Sequence, residues 1–270
     1  MADRRETSLI GADTSIAARP FSWPNNKRAA VSICFDDARP SQLDNGVEIF
    51  ARYEVTGTFY VLPEVVTARL DDWKRVVATG HEVGNHTVTH PCSGNFAFSR
   101  RNALENYSLD RLERDELLAA NHAIEKLLGT RPKTFAYPCA QRFVGAGEQT
   151  QSYVPLIARH FIAGRGGFDE VPNDPTICDL AQITSLDMDG ASPKRLWSLV
   201  QWALDENRWL VLAGHDVSES KPQSVCPGSL DELCRYVSGL RAELWVDTVL
   251  AIGSFVAQSR RTGPAAFHQP

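Results

Sequence analysis

Two adjacent carboxylates, Asp36 and Asp37, end a largely apolar run that begins at Ala29. Paired acids at the end of a buried strand are costly unless a metal, a proton-transfer role or hydrogen bonds stabilise them. Downstream, His86-Thr87-Val88-Thr89-His90 sets two imidazoles four residues apart, the spacing of one side of a helical turn. Pro91 disfavours continuation of a helix, so the histidines belong to a single turn at a strand end. Two histidines and one oxygen from Asp36 or Asp37 make a metal-ligand set with open positions and room for a catalytic water. H-x-x-x-H alone also arises by chance. The Tyr137-Pro138-Cys139 turn and His215 are further candidate partners.

These residues have to be positioned by an alternating chain. Strands are expected at about 29–35, 58–62, 82–85, 133–137, 161–163, 181–186 and 209–213, with a short one near 243–246. Helices are expected at about 41–53, 63–78, 108–128, 152–160, 193–206 and 229–240, with a last one to about 260. Ser41 is a candidate cap of the first helix, and Ser192-Pro193 suits the start of another. Strands that alternate with helices argue a mostly parallel sheet with helical crossovers. In a (β/α) barrel the carboxyl ends of the strands form the catalytic face, where the candidate polar residues fall. The stretch 91–107 has no clean period and reads as a long functional loop. The expected organisation is an arm at 1–28, one barrel domain at 29–260 and a tail at 261–270.

The 270 residues are 43% hydrophobic with a net charge of −5, which suits a packed core and gives no basic footprint for nucleic acid. No run of about 18 apolar residues predicts a membrane span. The opening MADRRETSLIGADTS lacks an apolar core of signal-peptide length, and Arg4-Arg5 is followed by no hydrophobic region. A cytoplasmic location with reduced thiols is therefore expected. The six cysteines, at 34, 92, 139, 178, 226 and 234, form no C-x-x-C pair, which argues against a zinc-thiolate knuckle.

The motifs together resemble the NodB-type polysaccharide deacetylases, the fourth family of carbohydrate esterases. Phe35-Asp36-Asp37 is similar to the family's first motif and His86 to His90 to its second. The weaker third and fifth motifs resemble Phe135 to Cys139 and Leu212 to His215. The resemblance implies a distorted barrel of about seven parallel strands. It implies that Asp37, His86 and His90 hold one divalent metal, zinc above cobalt or nickel. Asp36 would be the general base and His215 the general acid, with the backbone N–H of Cys139 in the oxyanion site. The implied reaction removes an acetyl group from an N- or O-acetylated saccharide.

The pattern also departs from the family. Ala136 stands where an arginine usually orients the base, so Arg165, or else Arg142, is expected to replace it. The fourth motif is reduced to Asp187-Met188-Asp189-Gly190, where either acid could support His215 and the tryptophan is missing. These gaps keep open a hydrolase of a cyclic amide, or an inactive sugar binder. Asp36 or Asp37 capping a helix, and Asp187 and Asp189 shaping a turn, are the plainer readings. Trp197, Trp202, Trp209 and Trp245 fit the core better than a sugar platform, and His81, His122 and His160 read as surface or helix residues.

Overall fold

Period-two alternation organises the central strand, β1 (Ala29–Phe35). Val31, Ile33 and Phe35 pack outward with Phe50, Leu230 and Leu233, while Ala30 and Cys34 face the barrel interior with Tyr60, Ala136 and Trp209. A computed structural model describes residues 20–219 and 222–262 of the chain. The remaining strands of the main sheet are β2 (Thr58–Val61), β3 (Glu82–Asn85), β4 (Thr134–Ala136), β5 (Ala163–Arg165), β6 (Leu186–Asp187), β7 (Trp209–Gly214) and β8 (Leu244–Val246).

Seven of the eight run in the order β5-β4-β3-β2-β1-β7-β6, and β8 pairs with the first half of β1. All of these pairs are parallel. A parallel bridge between Arg165 and Ile183 brings the segment before β6 back against β5, so the sheet curls into the expected distorted barrel. Parallel pairing demands crossovers. They are supplied by α1 (Val47–Arg52), α2 (Pro63–Ala68), α3 (Leu70–Ala78), α4 (109–128, with a π-wound turn at Glu113–Leu118), α5 (Val154–His160), α6 (Pro193–Asp205) and α7 (Pro227–Gly239), and α8 (Val249–Thr262) follows the last strand. Among the described residues no helix is long and apolar enough to cross a membrane.

Several local expectations need correction. The helix expected at 63–78 breaks at Arg69, whose φ of −136° and ψ of 47° are not helical. β5 starts two residues later than expected, because Phe161 joins the aromatic cluster of Phe135, Tyr137 and Tyr153 instead of the sheet. The strand expected at 181–186 keeps only its end, since Asp179 caps a 3₁₀ turn at Leu180–Gln182. Ser41 does not cap its helix; its hydroxyl donates to Asp216 (2.5 Å) and accepts from the Val217 N–H (3.0 Å). Ser192 does cap α6, accepting from the Arg195 N–H at 3.3 Å.

Most of the arm expected at 1–28 and of the tail at 261–270 lies outside the described residues. The described part of the arm is not merely superficial. Trp23 is buried at the foot of the barrel, with Phe21 and Phe255 beside it. His81 is likewise not a surface residue. It is buried against Phe50 and Phe59, its Nδ1 accepts from the Gly57 N–H (3.0 Å), and burial lowers its pKa to about 4.

Candidate active site

The carboxyl ends of the strands open into a cavity of about 440 Å³. Asp36 keeps the inward phase of Ala30, Ser32 and Cys34, so its carboxylate enters the mouth. Arg165 is the inward residue that ends β5, and its Nη2 pairs with both Asp36 oxygens. Both side chains are buried. Burial pushes the Asp36 carboxyl up, but the Arg165 guanidinium outweighs it, with His86 and His215 assisting, and the net shift is downward. Arg142, the other candidate, stands over the Tyr137 ring at 5.7 Å.

Asp37 departs from the strand alternation. Its φ of +70° is left-handed, and its carboxylate faces the histidine turn instead of the interior. Oδ1 lies 3.5 Å from the Nε2 of both His86 and His90, while Oδ2 accepts from Arg39 Nε (3.1 Å) and Nη2 (2.9 Å). Burial pushes the Asp37 carboxyl up, yet the His86 hydrogen bond and the nearby cations hold it well below the usual carboxylate range. His86 Nδ1 lies 2.9 Å from the carbonyl of Ala136. A carbonyl only accepts, so Nδ1 keeps a proton, and Nε2, which faces Asp37, is the ring atom that can give up its proton to bind a metal. Burial, then His86, lowers the pKa of His90 to about 4, so this imidazole is neutral near pH 7.

One ligand atom from each of Asp37, His86 and His90 lies within 4.8 Å of the others. Two imidazole nitrogens and one carboxylate oxygen fit a divalent first-row ion such as zinc, cobalt or nickel.

On the opposite flank, His215 Nδ1 is 2.6 Å from Asp189 Oδ2, and its backbone N–H donates to Asp189 Oδ1 (3.1 Å). Burial lowers the His215 pKa, but the Asp189 hydrogen bond and the Asp36 charge outweigh it and raise it overall. Of the two candidate acids, Asp189 therefore reaches the histidine. Asp187 accepts the Asp189 N–H (2.8 Å) and lines the cavity.

The expected free thiols require correction. Cys92 and Cys139 form a disulfide that ties the loop after His90 to the Tyr137-Pro138-Cys139 turn. Cys34, Cys178, Cys226 and Cys234 are free. Cys139 lines the cavity in a left-handed conformation, φ +51°. Thr87, His90 and Phe168 are left-handed as well, and such strain gathers where function over-determines the backbone.

The motifs 35–37 and 86–90 stand at the carboxyl ends of β1 and β3, two strands of one sheet. The sequence profile of the family described as polysaccharide deacetylase matches residues 24–150. Over that stretch, just under half of its length, the chain is similar to the polysaccharide deacetylases. A chitooligosaccharide deacetylase of Bradyrhizobium sp. (strain ANU 289) is 36% identical over 63 residues, 23% of this chain and 29% of that protein. A peptidoglycan-N-acetylglucosamine deacetylase of Bacillus cereus is 33% identical over 88 residues, 32% of this chain and 39% of that protein. The chain thus spans well under half the length of these curated relatives. A crystal structure from Mycobacterium smegmatis, assigned to the polysaccharide deacetylases, superposes with a TM-score of 0.67 at 16% identity, covering 93% of this chain and 97% of that one. That likeness is one of fold.

Within this deacetylase fold, three groups escaped the sequence reading. Arg39 braces Asp37 and also donates to Asp216 (2.9 Å). Glu116 grips the histidine turn. Phe96, Phe98 and Phe168 form an apolar rim on the cavity, Phe98 being 68% and Phe168 74% exposed. The rim had a sequence signal, since two of its phenylalanines stand in the long loop 91–107. Glu116 had none, being one acid among several on a helix.

Proposed function

We propose that this chain is a metal-dependent hydrolase that removes an acetyl group from an acetylated saccharide, with an N-acetylated amino sugar as the favoured substrate. The observation that carries this reading is the meeting of three groups in one cavity: the Asp37–His86–His90 cluster, the Asp36–Arg165 pair and the His215–Asp189 pair. A divalent ion held by the cluster supplies positive charge that acidifies water and polarises a carbonyl. Asp36, kept ionised by Arg165, takes the proton of the attacking water. The backbone N–H of Cys139 donates to the oxygen that gains charge. His215, kept protonated by Asp189, gives its proton to the leaving nitrogen. Water and amide thereby become acetate and amine.

The phenylalanine rim takes the place of the missing tryptophan and offers flat apolar faces to a sugar ring. The same rim favours, as a second reading, a compact cyclic amide. The Cys92–Cys139 disulfide favours an oxidising compartment over the cytoplasm. Acetate release from chitooligosaccharides and from acetylated peptidoglycan fragments, measured beside the metal content of the same preparation, tests the reading. Acetate with about one equivalent of bound metal is expected. Ring opening of a cyclic amide without acetate release from any glycan would replace it with the second reading.

A further inference from the structure

The backbone donors of the histidine turn have an unusual accounting. Thr87 N–H donates to Asn85 Oδ1 (2.7 Å), Val88 N–H and Thr89 N–H donate to Glu116 Oε2 (3.0 and 2.9 Å), and His90 N–H donates to Thr87 Oγ1 (3.0 Å). Side chains, not backbone carbonyls, therefore satisfy each of the four donors in the turn. Glu116 Oε1 also accepts from the Thr89 hydroxyl (2.6 Å) and the Tyr107 phenol (2.7 Å).

Glu116 is only 2% exposed and comes from the π-wound turn of α4. Four donors converge on a group that only accepts when ionised. An apolar side chain would fill this place without the cost of desolvating a carboxylate. What the carboxylate adds is a fixed path for residues 88 and 89, between the left-handed Thr87 (φ +71°) and His90 (φ +52°). Neighbouring groups brace it, since Asn85 Nδ2 donates to Leu117 O (2.9 Å) and to Asn121 Oδ1 (2.8 Å), both on α4. The path of the turn decides where the His90 ring stands relative to Asp37 and His86.

We propose that Glu116 is a positioning residue that locks the 87–90 turn to α4 and so sets the affinity of the Asp37–His86–His90 cluster for a divalent ion. The proposal rests on the reading of that cluster as a metal site. Its effect is transmitted through His90, and Glu116 touches neither metal nor substrate. Ligand-orienting partners of this kind are typically worth about 10- to 100-fold in metal affinity.

The test uses the full chain, stripped of metal, in four forms: unaltered, Glu116→Ala, Glu116→Asp and Glu116→Gln. Two readouts are taken. Co²⁺ affinity and the visible Co²⁺ spectrum are followed by titration, and amide hydrogen exchange at Val88 and Thr89 is measured in the metal-free protein. Glu116→Ala and Glu116→Asp should weaken Co²⁺ binding by about 10- to 100-fold, alter the spectrum and speed exchange at both amides. Glu116→Gln should stay within a few fold of the unaltered chain, because its amide oxygen still accepts from both N–H groups and its NH₂ can donate to the two hydroxyls. Glu116→Asp keeps the charge while withdrawing the carboxylate, and decides the matter if Glu116→Ala does not fold. Unchanged Co²⁺ affinity and unchanged exchange in Glu116→Asp would overturn the role of Glu116 while leaving the metal reading intact. An unaltered chain that takes up no Co²⁺ would overturn the metal reading itself, and the control of affinity with it; the exchange data would then report separately on the lock.

Discussion

His90 and His215 face each other across one mouth, yet their environments push them in opposite directions. Burial and the neighbouring His86 hold His90 down at about 4, whereas Asp189 raises His215 above its ordinary value despite burial. The supports differ as well. The histidine flank is fastened by Glu116, Asn85 and a disulfide, and His86 is tautomerically fixed by a carbonyl. The His215 side chain leans on one carboxylate. A ligand needs a neutral ring in one place, and an acid needs a ring that carries a proton and can release it. On the proposed reading, the contrast would let one residue type serve both tasks through its neighbours alone.

The largest effects should come from removing the two rings. His90→Ala should abolish stoichiometric metal binding and acetate release together. His215→Ala should lower kcat by about 10²- to 10⁴-fold with metal content intact. Metal analysis and a coupled acetate assay on both variants check the division, and equal metal loss in both would erase it.

Between the flanks, Arg165→Ala leaves the buried Asp36 carboxylate without its partner. A loss of about 3–5 kcal/mol in stability is expected from chemical denaturation. The sign with pH follows from the depressed Asp36 pKa. The stability contributed by the pair is present above the unfolded carboxyl pKa and is lost as pH falls through the folded one. In Arg165→Ala that acid-side dependence should shrink.

Replacing both Cys92 and Cys139 by serine should cost about 2–4 kcal/mol, since the bridge closes a loop of 47 residues in sequence. It should weaken metal binding while leaving the alkaline fall of the kcat profile in place. A displaced alkaline limb would mean that the two flanks are coupled.

Asp189→Asn acts on the other flank. His215 has a raised folded pKa, so its imidazolium survives to higher pH, and the stability it brings is present below the unfolded pKa and lost as pH rises through the folded one. Without the carboxylate, the alkaline limb of kcat should move to lower pH with metal affinity unchanged. An unmoved limb would remove Asp189 as the support of the acid. The smallest effect is expected at the rim. Phe98→Ala should raise KM several-fold, by about 1 kcal/mol of lost stacking, with kcat kept.

Much of the frame was legible in local pattern. The run 29–35 alternates as a strand, and the turn 86–90 shows its ligand spacing, because backbone geometry repeats over two to four residues. Ser192-Pro193 marked the start of α6 for the same reason. Ser41 misled, because its hydroxyl found distant partners at Asp216 and Val217 that outbid a helix cap. Arg69 broke a helix with no proline or glycine at the break to announce it.

From its residues alone, the chain declared strand–helix alternation, two acids at the end of the first strand and two histidines in one turn. These depend on neighbours within a few positions, where propensity and burial act directly. The tertiary structure chose between alternatives that sequence left open. Arg165 and not Arg142 meets Asp36 across 129 positions because it is the inward residue at the end of β5. Asp189 and not Asp187 meets His215, Cys92 meets Cys139, and Glu116 meets the histidine turn for the same kind of reason. Such pairings are set by which strand lies beside which, by the face on which a side chain emerges and by how far a turn rotates it. No spacing along the chain encodes those.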